Sequence, residues 1–122
     1  MARAATTRRK TAKRDRARST VHPRYLDRLI EEAVVDAYNE SEQRSGIYAM
    51  LEQKLELPFK TEVLGVEVTV ERIDLDDAEE IVAICVRGRT RQAIPILDLP
   101  MPTPLPVGAE WIEAYRRWAR RG

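Results

Sequence analysis

Apolar residues in this chain change their spacing once, near Phe59, and that switch limits the folds open to it. Before it, Leu26, Leu29, Ile30, Ala33, Val34, Ala37 and Tyr38 recur every three or four residues, the repeat of one helix face. After it, Val66, Val68 and Val70 alternate with Glu67, Thr69 and Glu71, the repeat of a strand with one face buried and one in water. Helices followed by a block of strands, rather than strict alternation of the two, define an α+β chain.

The helical half is expected over residues 24–57, opening with Pro23 in a first-turn position. Asn39 with Glu42 three residues later forms a capping-box pattern, so a second helix starts there and turns Ile47, Met50, Leu51 and Leu55 inward. Gly46 either lies within that helix or kinks it, and Pro58 ends it. Strands are expected over residues 59–99. Arg72 breaks the alternation, which predicts a bulge or strand end, and Asp74–Glu80 reads as a loop. The unbroken apolar run Ile81–Val86 suits a central strand. Gly88-Arg89 makes a tight turn, and the chain returns through Arg91, Ala93, Ile94, Ile96 and Leu97, with Pro95 either placing that strand at an edge or bulging it there. Pro100, Pro102, Pro104 and Pro106 impose an extended connector over residues 100–107. A last helix over residues 109–121 has Glu110 and Glu113 near its start and Arg116, Arg117, Arg120 and Arg121 near its end, matching the helix dipole. Its Trp111, Tyr115 and Trp118 share one face and read as core. Strands this short predict a small curled or barrel-like sheet, covered by N-terminal helices and a C-terminal helix in one domain, residues 23–122.

Charge divides the same chain differently. Of 122 residues, 21 are Lys or Arg and 20 are Asp or Glu, a formal net charge of +1. Residues 1–24 hold nine of the basic residues and one acid, Asp15, or +8, which leaves 12 basic and 19 acidic residues, or −7, for the remainder. Residues 1–22 have no large apolar side chain beyond Met1 and Val21, so burial cannot offset the entropy of ordering and a disordered basic arm is expected. No apolar run approaches the roughly 20 residues of a membrane span, and no apolar stretch follows the basic start as in a secretory signal. A cytoplasmic protein is expected. Cys85 and His22 are each single in the sequence, which excludes an internal disulfide and argues against zinc, iron–sulfur and His-dependent triad chemistry. With no Gly-rich phosphate loop either, no enzyme is expected.

Two constellations remain. The densest acidic stretch in a predicted loop is Asp74, Asp76, Asp77, Glu79 and Glu80, and hard cations such as calcium take about six to eight oxygens from carboxylates and carbonyls. The spacing is not that of an EF-hand, whose sixth loop position is Gly where Glu79 stands here. Asp27, Glu31, Glu40 and Glu42 offer further carboxylates from the helices. In the arm, Arg8, Arg9, Lys10, Lys13, Arg14, Arg16 and Arg18 would attract nucleic acid or the ribosome through phosphates, without reading sequence and with affinity falling steeply in salt; the same charge could equally contact an acidic membrane surface or the chain's own −7 domain, or simply aid solubility. Arg87, Arg89 and Arg91 either extend such a phosphate track or form a charged edge that deters strand pairing.

The order of features from Ser41 onward is more specific than any one of them. A tyrosine-bearing helix leads into Leu51-Glu52-Gln53-Lys54-Leu55-Glu56-Leu57-Pro58-Phe59. A valine-rich strand, an acidic connector and the strand end Ala93-Ile94-Pro95-Ile96-Leu97-Asp98-Leu99 follow, then the tail Trp111-Ile112-Glu113-Ala114-Tyr115-Arg116-Arg117-Trp118. This resembles the small prokaryotic calcium-binding protein family known from cyanobacteria, over roughly residues 42–122. The resemblance implies an SH3-like barrel packed with helices that binds Ca²⁺ as a buffer or sensor, without catalysis. It leaves the basic arm and first helix as additions. Its matching residues, Leu51, Leu55, Pro58, Phe59, Trp111 and Trp118, are framework. The family's calcium ligands do not map residue by residue, so the acidic loop rests on oxygen chemistry alone.

Overall fold

The computed structural model describes residues 21–121. The basic arm, including Arg8, Arg9, Lys10, Lys13, Arg14, Arg16 and Arg18, therefore lies outside the described residues apart from Val21 and His22. In chain order the elements are helices α1 (Pro23–Ala33) and α2 (Glu40–Lys54), strands β1 (Phe59–Val63), β2 (Val66–Leu75), β3 (Ile81–Arg87) and β4 (Thr90–Pro95), a 3-10 turn at Ile96–Asp98, and helix α3 (Glu110–Arg121).

The starts of α1 and α2 are set by side chains. His22 caps α1, its Nδ1 accepting from the Arg24 amide at 3.1 Å, with Pro23 in the first turn where no amide partner is needed. Asn39 caps α2 by accepting from the Glu42 amide at 2.8 Å, while Glu42 reaches back to the Tyr38 amide at 2.6 Å. The first helix stops at Ala33, short of the expected stripe, so Ala37 and Tyr38 lie beyond it and Tyr38 is almost wholly exposed. Gly46 does not kink α2. It lies where α1 and α2 touch: a Cβ there would sit 2.1 Å from the Ala33 carbonyl oxygen.

The strands form one antiparallel sheet in the order β1-β2-β3-β4. Leu64 and Gly65, both at positive φ (52° and 77°), make the β1–β2 turn, a geometry that matches the right-handed twist of the strands. The register shift between Val70 and Arg72 is the bulge that the sequence predicts. It returns Ile73 to the face of Val70, so the strand keeps one apolar face along its length. Two expectations are corrected. The sheet is open, with β1 and β4 as its outer strands, and does not close into an SH3-like barrel. The residues expected as the strand end at 96–99 instead form the 3-10 turn and its exit, because Pro95 ends the ladder opposite Val82.

One face of the sheet carries two clusters. Ile73 and Ile81 join Leu26, Ile30, Ile47, Leu51 and Leu55 of the helical half, together with Ile96 and Trp111, Ile112, Tyr115 and Trp118. The aromatic stripe of α3 is core, as its spacing predicts, and Tyr115 and Trp118 stack at 6.1 Å between centroids. Further along, Val70, Ala83 and Cys85 pack with Leu99, and Phe59 and Met101 lie against them. The proline-rich segment therefore does more than span: it covers the second cluster and is fastened there by the Thr61 hydroxyl, which donates to the Pro100 carbonyl at 2.7 Å. Its far end docks on α2, where Glu56 and Val107 exchange hydrogen bonds and Gly108, at φ 88°, approaches the Lys54 carbonyl too closely for a side chain. Val82 and Ile84 point to the opposite face. They are buried there with no covering helix among the described residues, flanked in register by Asp74 and Pro95 and by Arg72 and Ala93. No described helix is long and apolar enough to cross a membrane.

Helix α3 is clamped to α1 by Asp27, which accepts from Arg117 Nε at 2.8 Å, Arg117 Nη2 at 3.3 Å and Arg121 Nη2 at 2.8 Å. The Arg117 hydrogen bond above all holds the Asp27 carboxyl below its usual 3.8, against a smaller opposing effect of burial. A depressed carboxylate contributes stability above its unfolded-state pKa and loses it as the pH falls through its folded-state value. The stability difference between the native chain and Asp27→Asn should hold constant above about pH 5 and close toward about pH 2, as read by urea unfolding at each pH. Gly46→Ala should lower stability by about 1–2 kcal/mol because the helices must separate. At an uncrowded helix interior the same change raises stability by about 0.5–1 kcal/mol, so the sign decides.

Candidate metal site

The acidic segment falls at the β2–β3 connection, but only part of it is loop. Asp74 is in β2, paired with Val82, and Leu75 is paired with Ile81, leaving residues 76–80 as the turn. Asp76 organises that turn. Its Oδ1 accepts from the Ala78 and Glu80 amides, both at 2.9 Å, and its own amide donates to the Glu80 carbonyl at 3.0 Å. A short carboxylate satisfying local amides is what holds such turns closed. The closure leaves Glu79 at φ 64°.

The remaining acids are drawn apart rather than together. Asp74 accepts from Arg72 Nη1 at 3.2 Å and from the Leu75 amide at 2.8 Å. Glu79 leans toward α2, where Arg44 Nη1 lies 3.5 Å from it, and Arg44 also meets Glu40 at 3.5 Å. The Arg44 guanidinium sits 5.0 Å from the Trp118 ring centroid, and the Trp118 indole N–H donates to Gln43 Oε1 at 2.9 Å. Asp77 and Glu80 are exposed. The helix carboxylates serve elsewhere: Asp27 holds Arg117 and Arg121, Glu42 caps α2, Glu40 pairs with Arg44, and Glu31 is exposed.

Close to the end of β2, the Tyr48 hydroxyl lies 3.1 Å from Glu52 Oε2 and 3.2 Å from the Ile73 carbonyl. Burial first, then the Glu52 hydrogen bond and the charges of Glu52 and Asp74, push its pKa up to about 12. Neither Arg44 nor Tyr48 was singled out from sequence. The Glu40–Arg44 spacing is legible as a helix pair, but the reach of Arg44 to Glu79 depends on tertiary structure. A second acidic feature was equally hidden. Glu62 and Glu67 stand directly opposite each other on β1 and β2, and both line a groove of about 380 Å³ with Lys60, Thr61 and the start of the proline segment. Their pairing follows from the Leu64-Gly65 turn, which sequence reasoning did not assign. The basic hairpin is partly engaged: Arg87 donates to the Glu67 carbonyl and Arg91 pairs with Glu71.

Chemically these oxygens suit a hard cation; geometrically they do not surround one. Among the described residues, no three or more His, Cys, Asp or Glu side chains come together in a way that could hold a metal ion. The chain matches a family of calcium-binding proteins of the CcbP type over residues 27–119. That span covers most of the sequence, and the chain belongs to this family, whose ion is calcium. The match begins within α1, so the first helix is part of the family unit rather than the addition expected from sequence. No curated protein and no solved structure matches the chain significantly.

Because Asn also offers Oδ1 to both amides, Asp76→Asn should keep the turn, with stability within about 0.5 kcal/mol of the native chain. Asp76→Ala should lose about 1–2 kcal/mol and speed amide exchange at Ala78 and Glu80. Thermal unfolding and hydrogen exchange of the two variants check this.

Proposed function

We propose that this chain is a calcium-binding protein of the buffer or sensor kind that takes its ion on surface carboxylates of the β2–β3 connection, Asp74, Asp76, Asp77, Glu79 and Glu80, without catalysing a reaction. Membership of a calcium-binding family carries the reading, since the matched span includes the whole of this connection. The segment adds five carboxylates within seven residues, anchored at both ends by paired strands, which is the donor chemistry calcium takes. Because these acids do not converge in the described conformation, the affinity expected is that of a weak site, about 10⁻⁴ to 10⁻³ M.

Titration calorimetry of the full chain at low ionic strength should show calcium heat in that range. The double substitution Asp76→Asn/Asp77→Asn should weaken it about tenfold or more while leaving the fold intact. Absence of calcium heat at millimolar ion, or unchanged heat in the double variant, would rule out this site. Loss of the heat in Glu62→Gln/Glu67→Gln instead would move the site to the β1–β2 hairpin.

A further inference from the structure

The basic residues of the domain are not spread evenly. Residues 24–28 and 117–121 hold Arg24, Arg28, Arg117, Arg120 and Arg121 against one acid, Asp27, while residues 25–122 outside these two stretches hold 8 basic and 18 acidic residues. The fold joins the two stretches. Asp27 binds Arg117 and Arg121 at once and so brings the end of α3 to the first turns of α1. Leu26, Leu29 and Ile30 turn to the core. Around the rest of the helix, at about 100° per residue, Asp27 with its two arginines is followed by Arg24, Arg28 and Tyr25 in steps of about 40–60°. The result is a belt of arginines around the outer side of α1. Arg24, Arg28, Arg120 and Arg121 are exposed, and the first three enter no ion pair among the described residues. Residues 1–22, with eight further cations and Asp15, join the domain at the His22 cap of this same helix.

We propose that this belt is a docking surface for single-stranded nucleic acid, with phosphates on Arg24, Arg28, Arg120 and Arg121 and a base on the ring of Tyr25. The proposal is independent of the calcium reading, since no residue of the belt belongs to the β2–β3 connection. Charge supplies the attraction: guanidiniums gathered at one end of an otherwise acidic domain draw a polyanion and turn it toward that end. Arg121 donates to Asp27 through Nη2, which leaves its other nitrogens for a phosphate oxygen among the described residues. Tyr25 chooses among polyanions. It is 38% exposed beside these arginines, and the Arg28 guanidinium lies 5.9 Å from its ring centroid. An open ring set among cations is a platform on which an unpaired base stacks. A duplex would meet the arginines but keep its bases from the ring. A membrane surface would call for an apolar helix face, and none of the other exposed large apolar side chains lies on α1 or α3.

The test uses the full chain and a fluorescently labelled, mixed-sequence DNA strand of about 20 nucleotides, followed by anisotropy across a salt series from about 20 to 200 mM. The triple variant Arg24→Gln/Arg28→Gln/Arg120→Gln removes three cations and leaves the Asp27 clamp intact. It should make the slope of log affinity against log salt shallower by about 2, at about 0.7 for each phosphate contact on a single strand. Tyr25→Leu should keep the native slope and weaken binding of the strand about fivefold or more, with no effect on a duplex of the same sequence. No binding of the strand at low salt would overturn the proposal. Native slope and affinity in the triple variant would do the same, by assigning the strand to residues 1–22 alone. Unchanged strand affinity in Tyr25→Leu would also overturn it, because the ring then reads no base. Vesicles containing phosphatidylserine separate the other polyanionic surface: if the triple variant loses vesicle binding but keeps the strand, the belt is a lipid contact and the proposal fails. Should the triple variant not fold, Arg120→Gln alone, on the other helix, should still lower the slope by about 0.7, and an unaltered slope would refute the belt.

Discussion

Burial of the α3 aromatic face is the interaction on which the other parts depend. An open four-stranded sheet of short strands cannot shield its own apolar face, and the two N-terminal helices reach only the end of it marked by Ile73 and Ile81. Trp111, Tyr115 and Trp118 close that space, and they can do so only because the chain returns across the sheet before α3 begins. Leu99 and Met101 pack along the way, and Gly108 lets the backbone pass against the end of α2. The Asp27 clamp then fixes the rotation of α3 against α1, so a surface ion pair settles the orientation of buried rings.

Much of this architecture was legible in the sequence because it is written in local periodicity. The α3 stripe, the bulge near Arg72, the Gly88-Arg89 turn and the edge position of Pro95 each follow from a repeat or from one residue's backbone restriction. The errors share a different origin. Whether a sheet closes depends on strand tilt and stagger summed over all strands, which no single residue records. The end of α1 at Ala33 was missed because Ala37 and Tyr38 continue a helical spacing that tertiary contacts do not use. Gly46 is ambiguous locally, and only the crossing of two helices explains it.

The candidate site shows the same division more sharply. Residue types identified a place rich in oxygen donors, and the structure puts that place at a strand-to-strand connection. What sequence did not reveal is how the donors are engaged. Asp76 serves the backbone, Asp74 and Glu79 serve arginines, and Arg44 comes from a helix some thirty residues away in the chain. A list of acids overstates the negative charge available to a ligand whenever internal cations share it. The family match adds what geometry alone does not, namely which ion to expect, while among the described residues the side chains assemble no finished cage.

The open sheet has one more consequence. Outer strands with unpaired backbone groups invite copies of a protein to join edge to edge, and a closed barrel would have removed that risk. Here each border is interrupted by other means. On one side Pro95 deletes a donor at the end of β4, and Arg91 places a charge near its start. On the other, β1 is only five residues long, and the proline-rich return lies beside it at Thr61. A second copy would find no uninterrupted ladder to extend, so the chain can leave its sheet open and still discourage the aggregation that openness ordinarily brings.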